Sequence, residues 1–240
     1  MKKLLLLSLT LTLALGAYAK PKKVVMIAGQ RSHGPLSHEH KAGIMLLAKC
    51  LKEGAGELVA PTVVLNGWPQ DNSVFEGADA VVNCVGILAE AGKNTFDAIQ
   101  ADGAERIARL AAAEGIARLV QISAIGADAE ADSEYAQTKA MGEAGVLKHM
   151  PQAVILRPSI VFGPEDDFFN RFAGMTRISP AIPAVGADTL FQPVYVDDVA
   201  HAAELAVTGK APAGIYELGG PEVESFRGLM QRMLLSLIHI

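Results

Sequence analysis

The chain has 240 residues, a net charge of −5, half of its residues hydrophobic, few aromatics and 23 glycines. That composition excludes a disordered or fibrous chain and suits a buried parallel sheet with tight turns, in one α/β domain or two small ones. Basic residues are scattered, so no nucleic-acid footprint is expected, and the two cysteines, Cys50 and Cys84, make no metal site and read as buried free thiols.

Lys2 and Lys3 precede the apolar run 4–15, and Ala17-Tyr18-Ala19 follows it. A basic start, a short greasy core and an A-x-A exit describe a secretory signal peptide over residues 1–19, which predicts export to the periplasm. The run is too short to cross a bilayer and no later segment approaches that length, so no membrane span is expected in the mature chain. Strand-like and helix-like runs then alternate, the pattern of a parallel sheet flanked by helices. Strands are predicted over 24–28, 58–65, 78–85, 118–122, 153–157 and 214–218. The first helix, 38–53, turns Ile44, Leu47 and Leu51 to one face. The second is capped by Asn94 or Thr95, runs to Glu114 and stops at Gly115. A third, capped by Asp132 or Ser133, carries Tyr135 and ends before Pro151. A short helix over 197–207 and a last one capped by Ser225 complete the series. The proline-interrupted stretch 162–192 reads as a substrate-side insertion over the sheet. The expected fold is a single doubly wound, Rossmann-like α/β domain over 22–230, with helices on both faces and an aberrant apolar tail at 231–240.

The chemistry concentrates in Tyr135-Ala-Gln-Thr-Lys139, with Ser123 twelve residues upstream. Residues i and i+4 share one helix face, so an ammonium stands beside a phenol. That neighbour favours the phenolate and is expected to lower the Tyr135 pKa, which suits proton exchange with a carbonyl or alcohol. Ser123 closes a predicted buried strand, and ligands of open α/β sheets sit outside the carboxyl ends of strands.

From about Gly77 to Met230 the chain resembles the extended or atypical short-chain dehydrogenase/reductase superfamily. The resemblance rests on Ala80-Val-Val-Asn83-Cys-Val-Gly86, Val120-Gln-Ile-Ser123-Ala, Tyr135-Ala-Gln-Thr-Lys139, Arg157-Pro158-Ser159-Ile160-Val-Phe-Gly-Pro164 and Val194-Tyr-Val-Asp197-Asp198, in the family's order and spacing. The wording of Val85-Gly-Ile-Leu-Ala-Glu90, of residues 164–172 and of Tyr216-Glu-Leu-Gly-Gly-Pro221-Glu is similar to the reductase-like accessory subunits of respiratory complex I and their bacterial relatives. The resemblance implies a bound NAD or NADP, usually NADP(H) in that group, and contacts with complex I subunits. It implies that Ser123 orients a carbonyl, that Tyr135 is the acid/base, and that Lys139 lowers the tyrosine pKa and holds the nicotinamide ribose. Asn83 and Gly86 would border the cofactor, and Pro158, Ser159 and Ile160 would lie along the nicotinamide. Asp197 and Asp198 match an acidic pair near the substrate side, with helix capping as the equally weighted alternative. Arg157 reads as a paired, buried guanidinium bracing its loop.

The first third departs from that pattern. A phosphate-binding G-x-x-G-x-x-G is expected after the first strand, but only Gly29 and Gly34 fall there, five apart, with Pro35 beyond. Residues 22–82 resemble instead the start of trehalose-utilisation-like domains, through Val24-Val-Met-Ile-Ala-Gly-Gln-Arg-Ser-His33, His38-Glu39-His40 and Gly67-Trp68-Pro69. The three histidines read as a polar capped loop and not as a metal site. A fusion of two reading frames with a seam near 77–82 is therefore expected. Three functions follow as alternatives: a nicotinamide-dependent reductase or epimerase-type enzyme, a cofactor-holding structural subunit without turnover, and a fragment of an exported sugar-utilisation domain.

Overall fold

The computed structural model describes residues 20–28, 40–65, 71–164, 166–176 and 186–238. The signal-type segment 1–19 and the stretch 29–39, with His33, His38 and the two glycines, lie outside the described residues, as does the side chain of His40.

Along the chain the elements are β1 (Lys22–Ile27), α1 (His40–Ala55), β2 (Val59–Val64), β3 (Ala80–Asn83), α2 (Asp102–Ala113), β4 (Arg118–Ile122), α3 (Glu134–His149), β5 (Val154–Pro158), β6 (Val161–Phe162), α4 (Asp167–Thr176), β7 (Leu190–Phe191), β8 (Val194–Tyr195), α5 (Val196–Thr208), β9 (Gly214–Leu218), β10 (Glu224–Ser225) and α6 (Phe226–Ile238). Six strands form one sheet in the order β2-β1-β3-β4-β5-β9, and every neighbouring pair is parallel. Near-continuous apolar runs such as Val24-Val25-Met26-Ile27 are what a strand buried on both faces requires. Val24 and Met26 turn to one layer, with Leu47 and Leu51 of α1 and Ala203 and Val207 of α5. Val25 and Ile27 turn to the other, with Ile107 and Ala108 of α2 and Val146 of α3. This is the doubly wound, helix-covered sheet that the alternating sequence pattern predicts.

The strand order fixes where a ligand goes. From β1 the chain crosses to β2 on one side, then returns to β3 on the other. The switch point lies between the carboxyl ends of β1 and β3, and in such sheets the ligand crevice forms there. β2 is the outer strand at that edge, with Pro61 in its middle.

Two local expectations need correction. The second helix is not regular from its cap. Thr95 caps it, its Oγ1 accepting from the Ala98 N–H at 3.1 Å, but residues Asp97–Ala101 form a wide turn in which the Asp102 N–H donates to the Asp97 carbonyl five residues back. The cause lies on α3: a side chain at Gly142 would collide with the Gln100 carbonyl oxygen, so that helix approaches the wide turn at backbone distance. Ser133 stands at the α3 N-cap with extended backbone, yet its side chain caps nothing. The stretch 162–192 holds α4 and is flanked by two short ladders, parallel β6 with β8 and antiparallel β7 with β10. Phe168 with Phe172, Phe172 with Phe226 and Phe191 with Phe226 pack edge to face and join α4 to α6 in a satellite core.

Gly142→Ala tests the close approach. In an exposed helix the change would stabilise by about 1 kcal/mol, while overpacking costs about 1–3 kcal/mol. Because the obstruction is backbone, the expected result is a net loss of roughly 1–2 kcal/mol in urea unfolding.

Candidate functional site

The carboxyl ends of β3, β4 and β5 converge on one face of α3. β4 ends at Ser123, whose N–H donates to the Leu156 carbonyl at 2.7 Å, and the Ile125 N–H reaches the Pro158 carbonyl at 3.0 Å. The loop carrying Ser123 is thereby tied to the loop carrying Pro158, Ser159 and Ile160. Ser159 donates in turn to Leu218 of β9 at 2.9 Å, and the Ile160 carbonyl accepts from Val194 at 2.9 Å.

Ser123 is buried, and its hydroxyl donates to Glu143 Oε1 at 2.5 Å. Glu143 is itself buried, on α3 four residues beyond Lys139. Its two oxygens accept from Arg157, Oε1 from Nε at 2.9 Å and Oε2 from a terminal nitrogen at 2.7 Å. Arg157 is thus the paired guanidinium expected of it, and the fork holds its charge above the ordinary arginine range.

Tyr135 stands edge-on to Phe96, with ring centroids 5.8 Å apart. Lys139 Nζ lies 5.8 Å from the tyrosine ring centroid. At that distance the ammonium does not set the phenol's titration: burial pushes the Tyr135 pKa up, opposite to the expected lowering. The displaced group is Lys139. It is 7 % exposed, and desolvation lowers its pKa to about 8, with Glu143 and Cys84 opposing that shift. No hydrogen bond or ion pair to Lys139 Nζ exists among the described residues, an unusual state for a buried cation.

Gly86 explains part of that burial. A Cβ placed on Gly86 would stand 3.1 Å from Lys139 Nζ, a tight approach that a larger residue could make only by displacing the ammonium slightly. Beside it, Gln100 is buried and its Oε1 has no hydrogen-bond partner among the described residues, while its Nε2 donates to Thr138 Oγ1 at 3.4 Å. An unpaired ammonium, an unpaired carbonyl oxygen and a glycine-lined gap are what a hydroxyl-rich ligand such as a cofactor ribose would satisfy. Asn83 contributes less directly. It is buried, its amide donates to Gln121 Oε1 at 2.7 Å across the β3–β4 ladder, and its Oδ1 accepts from the Val85 N–H at 3.1 Å, which shapes the loop leading to Gly86.

Asp197 and Asp198 fall in the first turn of α5, not at its cap, where Tyr195 stands. There they suit the helix dipole, and Asp197 Oδ1 accepts from Cys50 Sγ at 3.4 Å. Both cysteines are free and only partly buried; desolvation pushes the Cys84 thiol up to about 12 despite the Lys139 charge. An open cavity of about 620 Å³ lies on the insertion side, between Phe162, Tyr195, Asp198, Glu222 and Arg232. Among the described residues no histidine, cysteine and carboxylate group could hold a metal ion.

Sequence reasoning missed Glu143, Gln100 and Phe96. Glu143 had a usable signal: a buried arginine needs a carboxylate, and position 143 repeats the 135/139 helical spacing. Gln100 had none, because a wide turn leaves no mark on hydrophobic periodicity.

A parallel doubly wound sheet with helices on both faces is the architecture of the short-chain dehydrogenase/reductase fold. Residues 76–234 match the RmlD substrate binding domain, and the chain belongs to that family. It is 35% identical over 165 residues to the mitochondrial NADH dehydrogenase [ubiquinone] 1 alpha subcomplex subunit 9 of Arabidopsis thaliana, covering 67% of this chain and 41% of that protein. It is 29% identical over 144 residues to the ceramide reductase of Caulobacter vibrioides, covering 60% of this chain and 44% of that one. The chain therefore spans about two fifths of the length of these curated relatives. Among solved structures, dTDP-4-dehydrorhamnose reductase of Bacillus anthracis in complex with NADP superposes with a TM-score of 0.67 at 17% identity, over 91% of this chain and 81% of that chain.

The unpaired lysine makes a pH prediction. The Lys139 pKa is about 8 folded, against 10.5 for a free lysine. Below pH 8 the charge is present in both states and the full cost of burying it is felt. Between those values the unfolded chain binds the extra proton, so stability rises with pH. Lys139→Met should therefore stabilise the protein on the order of 3 kcal/mol at pH 7. The gain should fade as pH rises past 8 toward 10, read from urea midpoints across that range.

Proposed function

We propose that the protein is an NAD(P)-binding reductase-type domain whose nicotinamide end is held at Lys139 and Gly86. The observation that carries this reading is Lys139, a buried ammonium beside a glycine-lined gap with no hydrogen-bond or ion-pair partner among the described residues. When bound, the dinucleotide supplies hydride chemistry. The chain's own part is to position and to move a proton. Lys139 offers three N–H donors to ribose hydroxyls, Gln100 Oε1 offers an acceptor, and the Pro158–Ile160 loop lies across the site from α3. Tyr135, a phenol protonated at neutral pH whose pKa burial raises further, acts as proton donor to a developing alkoxide. The NADP held by the Bacillus anthracis structure supports the cofactor class.

A second reading keeps the cofactor and removes the turnover: a dinucleotide-holding subunit at the periphery of a respiratory complex. It is favoured by the raised Tyr135 phenol, by the commitment of the Ser123 proton to Glu143, and by a relative named as a subunit of mitochondrial NADH dehydrogenase. No helix among the described residues is long and apolar enough to cross a membrane, which suits attachment through protein contacts.

Titration of purified protein with NADPH and with NADH, followed by cofactor fluorescence, tests the shared claim. Binding is expected for the unmodified chain. A loss of about tenfold or more is expected for Lys139→Met, the worth of one charge-assisted hydrogen bond. Unchanged affinity in that variant sinks the assignment. Tyr135→Phe then separates the readings: carbonyl-dependent NADPH oxidation that disappears while binding persists marks the enzyme, and tight binding with no oxidation in the parent protein marks the subunit.

A further inference from the structure

The open cavity of about 620 Å³ on the insertion side takes no part in the chemistry assigned above, and Ser123, Tyr135 and Lys139 do not line it. Its size falls within the range of about 300–1,000 Å³ in which small-molecule sites occur. One wall is aromatic. The β6–β8 ladder sets Phe162 opposite Tyr195, and their ring centroids stand 5.5 Å apart. Gly163 fits that close pairing, because a Cβ there would come within 2.9 Å of the Val196 side chain. Phe169 of α4 meets Phe162 edge to face at 6.2 Å. Leu229 and Met233 of α6, both buried, complete the apolar lining.

The charges on this cavity are one-sided. Asp166, Asp198, Glu222 and Glu224 line it with a single cation, Arg232. Arg232 is already answered: one terminal nitrogen donates to Glu222 at 2.9 Å and the other to Glu224 at 2.7 Å. Asp166 is committed to the start of α4, accepting from the Phe169 N–H at 2.6 Å and from the Gly163 N–H at 3.4 Å. Asp198 differs from both. It is exposed in the first turn of α5, three residues beyond Tyr195, and has no hydrogen-bond or ion-pair partner among the described residues. A free carboxylate beside aromatic rings, with the one guanidinium neutralised, attracts a cation and repels an anion.

We propose that this cavity binds an organic cation, an ammonium group carried on an apolar body, with Asp198 as its counter-ion and the Phe162–Tyr195 wall as the seat of the body. The same charges turn away carboxylates and phosphates. The site is separate from the gap at Lys139 and Gly86, so it needs no bound dinucleotide.

The test is amide NMR of the full chain without cofactor, titrated with phenylbutylammonium, phenylbutanol and phenylbutyrate. These share one apolar body and differ in charge. The ammonium should shift the amides of residues 162–170, 195–198 and 222–233. It should bind roughly threefold to tenfold tighter than the alcohol, the worth of a partly exposed charge contact, and phenylbutyrate should bind weakest. Asp198→Asn should bring the ammonium down to the affinity of the alcohol, leave the alcohol unchanged and keep the amide fingerprint of the fold. Tyr195→Leu should weaken ammonium and alcohol alike. Glu222→Gln combined with Glu224→Gln frees Arg232 and should raise the affinity for phenylbutyrate. No shift at these residues with any probe, equal affinities for ammonium and alcohol, tighter binding of phenylbutyrate to the unmodified chain, or an ammonium preference that survives Asp198→Asn each overturns the proposal. The NADPH titration reads a different site, so either result stands if the other fails.

Discussion

One turn of α3 carries a cation and a carboxylate, Lys139 and Glu143, each more than nine-tenths buried. Burying either is expensive unless it is compensated, and the surrounding structure follows from how each is treated. Glu143 is fully answered, by Arg157 from β5 and Ser123 from β4. That three-way contact locks two strand ends onto the helix. Among the described residues Lys139 has no hydrogen-bond or ion-pair partner beside Gly86, only the Tyr135 ring 5.8 Å away, and its lowered pKa registers the cost of burial.

Much of the architecture was legible because its signals are local. Two-sided burial demands unbroken apolar strands, and those at 118–122 and 214–218 begin and end where the residues said they would. Gly115 and Gly209, with φ of 68° and 81°, end helices through the left-handed conformation that glycine tolerates. Ser225 caps α6 as expected, its Oγ accepting from the Gly228 N–H at 3.2 Å. What was not legible depends on partners distant in sequence. The α3 cap misled because Ser133 has the right type and position but its side chain makes no capping hydrogen bond. The titration of Tyr135 misled because spacing brings Lys139 to the same face without fixing how far the ammonium stands from the phenol or how much water either keeps. Arg157 was read correctly as paired, yet its partner emerged only from the packing of β5 against α3.

Membership of the RmlD family and a shared sheet with solved reductases establish the fold. They leave the chemistry to the residues of this chain. Here those residues divide into a half that is internally satisfied, Ser123 with Glu143 and Arg157, and a half that is open, Lys139 with Gln100 and Gly86.

The outer position of β2 has a consequence for the molecule as a whole. A strand at the edge of a parallel sheet displays unpaired peptide groups to any other extended chain, the route by which such sheets add foreign strands and aggregate. Pro61 sits in the middle of β2, in register with Val24. Its ring nitrogen donates no hydrogen bond, so an incoming strand meets a gap in the ladder where it would need a donor. The same residue that costs β2 one peptide N–H thereby helps to keep the sheet six strands wide.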